Sequence, residues 1–132
     1  MKKEEDQMKI GQEKYDIIYK KYQEDIDSNP EFRNAYRFIK EMGDALFMWA
    51  VMNKLNPYEE SHVDKIKEEA AVNFMSYVVS GERPVQLKHI KTVSDLTIKK
   101  NKDRDNIEEM SFMSHPSTMF FEFICEAINE SN

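Results

Sequence analysis

Apolar side chains recur along the chain with helical spacing. Met8, Tyr15, Ile18, Tyr22 and Ile26 follow one another at steps of seven, three, four and four, while Glu13, Lys14, Lys20, Lys21 and Glu24 take the other faces. That period predicts an amphipathic helix of about 20 residues, preceded by a charged, flexible N-terminus over 1–8. Asp27-Ser28-Asn29-Pro30-Glu31 then reads as a stop and a restart. Asn29 can cap exposed amides, Pro30 suits the first helical position, and Glu31 favours the positive end of the helix dipole.

The second helix carries Phe32, Ala35, Tyr36, Ile39, Met42, Leu46, Phe47, Ala50, Val51 and Leu55 at helical positions, and between Ala45 and Met52 its polar face disappears. A helix that is apolar all round is one surrounded by neighbours. The expected core is therefore Leu46, Phe47, Trp49, Ala50 and Val51, with Phe74 from a third helix and Phe120, Phe123 and Ile124 from a last one. Asn56-Pro57-Tyr58-Glu59 repeats the restart signal and predicts that third helix to about Ser80, with Val63, Ile66, Ala70, Phe74, Tyr77 and Val78 inside and Gly81 as its C-terminal cap.

Beyond Pro84 the pattern is weaker. One reading is a helix to about Val93, with Leu87, Ile90 and Val93 inside, and a second start at Ser94; the other is an irregular or short β segment at 85–100. The run KKNKDRDN, 99–106, reads as a charged loop. Ile107–Met113 suits a short helix. Ser114-His115-Pro116-Ser117 breaks the chain, and Ser117 can cap a final helix to about Glu130 with Phe120, Phe123, Ile124, Ala127 and Ile128 as its inner stripe. The fold class is thus all-α: a single domain over 1–132, a compact bundle of four to five helices with antiparallel neighbours.

Composition agrees with this reading. With three glycines and four prolines the chain lacks the turn residues that a sheet protein of its size needs. A lone cysteine, Cys125, cannot form an intramolecular disulfide, which favours a reducing, cytoplasmic setting. The stretch ALFMWAVM falls short of the roughly 20 apolar residues that a membrane span requires, so no membrane partner is expected. The net charge of −6 is unevenly spread. Between Arg83 and Arg104 seven basic residues face two aspartates, a net of +5, so the remainder carries −11.

Candidate chemistry is sparse. Lys40-Glu41-Met42-Gly43-Asp44-Ala45-Leu46-Phe47 resembles the Glu-x-Gly-Asp-x-Leu-Phe segment of the all-helical nucleotide pyrophosphohydrolases of the MazG type. That resemblance implies magnesium held by Glu41 and Asp44 one helical turn apart, with Glu13 and Asp16 as the imperfect counterpart of the family's upstream Glu-x-x-Glu. Glu59-Glu60-Ser61-His62 holds the chain's one Glu-x-x-His, whereas a bundle di-metal site uses two, and His62 reads as a helix-start surface residue. Cys125 has no base placed near it by sequence, and Gly11, Gly43 and Gly81 form no phosphate-cradling loop. No cofactor is expected.

Two surfaces remain. Lys88, Lys91, Lys99, Lys100, Lys102 and Arg104 could reach nucleic-acid phosphates, but no aromatic residue interleaves them, so binding there would be weak and salt-sensitive. Glu13, Asp16, Glu24, Asp25, Glu59, Glu60, Asp64, Glu68 and Glu69 would form an acidic face on helices one and three. The reading that accounts for most is a protein-protein contact module, a regulator, inhibitor or adaptor of a larger machine, with a homodimer as the alternative partner arrangement.

Overall fold

Asn29 ends one helix and starts the next. The structure, a computed structural model, describes residues 2–81, 85–105 and 116–131, with side chains described over 13–81, 85–104 and 116–131. Helix α1 (Lys2–Asp27) begins inside the lead-in expected at 1–8, and α2 (Pro30–Met52) follows after a two-residue break. Asn29 is extended and its Oδ1 accepts the Glu31 amide at 2.9 Å, with Pro30 at the first helical position. The restart expected there is the one found.

The second Asn-Pro behaves differently. Asn56 Oδ1 accepts the Tyr58 amide and His62 Nδ1 accepts the Asn56 amide, both at 2.9 Å, so the loop closes on itself. Helix α3 (Glu60–Val79) therefore starts at Glu60, later than the Pro57 signal predicts. The same side-chain chemistry that caps a helix can stabilise a turn instead. Past Ser80, Gly81 sits at φ +76°, the left-handed conformation that glycine adopts without strain.

The weak stretch after Pro84 is one helix, α4 (Leu87–Asp105), and no strand occurs among the described residues. Thr92 and Thr97 send their hydroxyls back to the Lys88 and Val93 carbonyls at 2.9 and 2.8 Å, which accommodates both β-branched residues in the helix. Ser94 starts nothing; it lies buried in mid-helix. The loop expected at 99–106 is corrected as far as Asp105. Lys100 turns into the bundle and Arg104 pairs with Glu122, so the last turns are fastened inward by charged side chains. The short helix expected at Ile107–Met113 lies outside the described residues. Helix α5 (Pro116–Glu130) has Ser117 already inside its first turn.

Helices α2 and α5 form the centre. α2 touches all four other helices and α5 touches α2, α3 and α4, while α1 rests on α2 and α4 and α3 rests on α2 and α5. Phe120 is fully buried and meets Phe47 and Phe123 edge-on, at centroid distances of 5.3 and 5.6 Å. Gly43 is where α5 crosses α2: a Cβ there would lie 3.1 Å from the Phe121 amide nitrogen. The expected core positions Leu46, Ala50, Phe74, Phe120, Phe123 and Ile124 are buried, and Phe47 and Trp49 pack half-buried against them.

One expectation fails. The stretch Ala45–Met52 is not enclosed: Ala45, Met48, Val51 and Met52 are exposed, so Val51 leaves the core set. The neighbours of α2 cover the arc that holds Ile39, Leu46 and Ala50. Its opposite arc faces outward, and from Met48 to Met52 it does so although its side chains are apolar.

Candidate functional site

Helix α3 sorts its side chains cleanly. Ile66, Ala70 and Phe74 point into the core, and the opposite arc, at steps of four, three and four, is Glu68, Val72, Met75 and Val79. Val72, Met75 and Val79 are 55%, 49% and 77% exposed. Asp64 extends the same arc toward the start of the helix, with exposed Lys65 beside it, so the arc is charged and mainly acidic first and apolar after. α2 has a comparable outward arc, where Met48 and Met52 are 57% and 79% exposed, but Arg37, Glu41 and Asp44 share it with charges of both signs.

The nine carboxylates expected as one acidic face form two groups. Glu13, Asp16, Glu24 and Asp25 lie on α1, and Glu59, Glu60, Asp64, Glu68 and Glu69 lie in or next to α3. All are exposed except Asp25 and Glu69, which are half-buried. The two helices do not touch, since α1 rests on α2 and α4 while α3 rests on α2 and α5. Only the α3 group continues into an exposed apolar stripe. Glu59 is also engaged locally, 3.3 Å from His62 Nε2.

The carboxylates that resemble a magnesium set are likewise not gathered. Glu41 and Asp44 are exposed on α2, and among the described residues no group of three or more histidine, cysteine, aspartate or glutamate side chains is placed to hold a metal ion. The glycine between them has a packing reason instead, the close approach of α5 at Phe121. His62 caps the loop before α3 and is a helix-start residue as expected.

The basic segment divides as well. Because α4 is continuous, Lys88, Lys91, Asp95, Lys99 and Lys102 share one outer stripe, with Lys88, Lys99 and Lys102 exposed and Lys91 half-buried. Lys100 and Arg104 face inward. Arg104 Nη1 lies 3.1 Å from Glu122 Oε1, both side chains being largely covered. They belong to a polar seam between α1, α4 and α5 that sequence reasoning missed. There Tyr22 and Thr97 share a hydrogen bond of 2.8 Å, and Ser94 Oγ is buried with no partner. Cys125 is fully buried, and burial pushes its thiol up to about 12 although the Thr97 and Ser94 hydroxyls beside it act the other way. A thiol so held is no nucleophile. The one advance signal of the seam was polar residues at an inner helical spacing, Ser94, Thr97, Lys100 and Arg104.

His89 has a structural place. Its Nε2 lies 2.6 Å from Glu31 Oε2 and its ring meets Phe32 edge-on, joining the starts of α2 and α4.

Among the described residues no helix is long and apolar enough to cross a membrane. No protein-family model matches this chain, and comparisons with curated proteins and with solved structures give no match.

Proposed function

We propose that the protein is a protein-protein contact module, a regulator, inhibitor or adaptor, that engages its partner through the outward face of α3. The supporting observation is the order Asp64, Glu68, Val72, Met75, Val79 along that face, mainly acidic and then apolar, with its apolar half largely exposed. Large side chains in this arrangement lose the most water on contact, and the acids at one end orient the approach. The occupant that fits is a protein surface bearing an apolar cleft bordered on one side by lysine or arginine. This narrows the acidic face to the α3 group and leaves the α1 group out of it.

The test uses the full chain as bait in extract of its native cell, beside the Val72→Glu, Met75→Glu double variant. Both positions are exposed, so the variant keeps the fold. The expected result is a partner retained by the parent, released as salt rises, and lost with the double variant. Equal retention by both baits overturns the proposal, as does a concentration-dependent dimer of the chain alone that the double variant abolishes, because the occupant is then a second copy.

A further inference from the structure

Where α1, α2, α4 and the start of α5 meet, the structure forms a solvent-open pocket of about 160 Å³ whose described lining carries charge of one sign. Lys100 and Lys40 enter its wall from α4 and α2, and among the described residues no carboxylate lines it. Lys100 is the unusual member. The residue is only 8% exposed, yet among the described residues its ammonium makes no ion pair or hydrogen bond; its Nζ lies over ring faces, 4.4 Å from the Tyr22 centroid and 5.6 Å from that of Tyr19. Burial lowers its pKa, the response of a cation without a counter-charge. The nearest carboxylate influence is Glu122, and that group is already committed to Arg104.

The end of α5 adds to the same sign. Ser117 and Thr118, in its first turn, line the cavity, and no acidic residue occupies that turn to offset the positive end of the helix. Tyr36 also faces the space, and burial raises its pKa, so its hydroxyl stays protonated and able to donate. Two ammonium groups, a helix start and a phenol thus converge on a pocket that no carboxylate lines among the described residues.

We propose that this cavity binds a phosphate dianion, with Lys100 as its buried counter-charge, Lys40 at the outer wall and the first turn of α5 supplying amide donors. Tyr19 is partly exposed at the same wall, where its ring can stack on a planar group attached to the phosphate. The inference is independent of the α3 contact face, which is built from other residues.

The experiment is calorimetric titration and thermal unfolding of the full chain with inorganic phosphate and, in a separate arm, adenosine 5′-monophosphate, at constant ionic strength against chloride. The expected result is saturable binding and a raised midpoint with phosphate but not with chloride. Lys100→Met should weaken binding at least tenfold while raising the midpoint in chloride, since the stem still packs on Tyr22 and the unpaired charge is gone. Lys40→Met, at an exposed position, should weaken binding about threefold with the chloride midpoint unchanged. Adenosine monophosphate binding tenfold tighter than phosphate assigns the site to a nucleotide, and equal affinity assigns it to free phosphate. A parent chain that responds to neither anion beyond chloride, or a Lys100→Met chain that binds as the parent does, overturns the proposal.

Discussion

Cys125 sits against Thr97 and Ser94 with no route to water, and the consequence is a stability that depends on alkaline pH. Its folded value is about 12 against an ordinary 9.0, so below pH 9 the thiol is neutral in both states and contributes no slope. Above 9 the unfolded chain releases a proton that the folded chain keeps, and stability falls by about 1.4 kcal/mol per pH unit until the folded value is reached. Tyr22, raised by burial from 10.0, adds loss at higher pH, while Lys100, lowered from 10.5, works in the opposite sense. Both groups remain in Cys125→Ala, so comparing it with the parent singles out the thiol together with its own electrostatic effect on them. Urea unfolding between pH 8 and pH 10.5 should show a shallower decline in the variant, and parallel slopes would remove the thiol from the account. The sequence announced this seam only through the inner spacing of Ser94, Thr97, Lys100 and Arg104, because a cysteine beside an apolar stripe reads as one more hydrophobe and a lysine in a charged run reads as solvated.

At the scale of elements, side chains that act on their own backbone were legible and those that act across helices were not. Asn29-Pro30-Glu31 specifies its cap within three residues, and the start of α2 follows. Asn56-Pro57 has the same letters, but His62 competes for the loop and delays α3. The end of α4 was hidden for a different reason: Lys100 needs the tyrosine rings of α1, and Arg104 needs Glu122 of α5, before a charged run becomes a packed helix face. Gly43 belongs here too, since its meaning lies in a second helix far along the chain, at Phe120 and Phe121. Gly43→Ala gains about 1 kcal/mol of helix propensity but overpacks the crossing at a cost of about 1–3 kcal/mol. The thermal midpoint should fall. A midpoint equal to the parent's or above it would mean that α5 can move away freely, and the packing account of Gly43 would be wrong.

For the molecule as a whole, the all-helical fold was readable from glycine scarcity and apolar period, because both are properties of single segments. The surface was less so. An apolar run such as Ala45–Met52 gives no sign of whether five helices are enough to cover it, and here they cover one arc and leave Met48, Val51 and Met52 outside. The acidic face divided in the same way, since the helices bearing it rest on different neighbours. What remains is a bundle with an exposed apolar stripe on α3 that follows a mainly acidic lead-in. Methionine oxidation reads that surface directly. With the chain alone, Met48, Met52 and Met75 should form sulfoxide faster than half-buried Met42 and Met119. In complex with the captured partner, Met75 should become protected while Met48 and Met52 keep their free rates. Oxidation of Met75 at its free rate in a complex that stays bound would contradict the claim that α3 is the contact face.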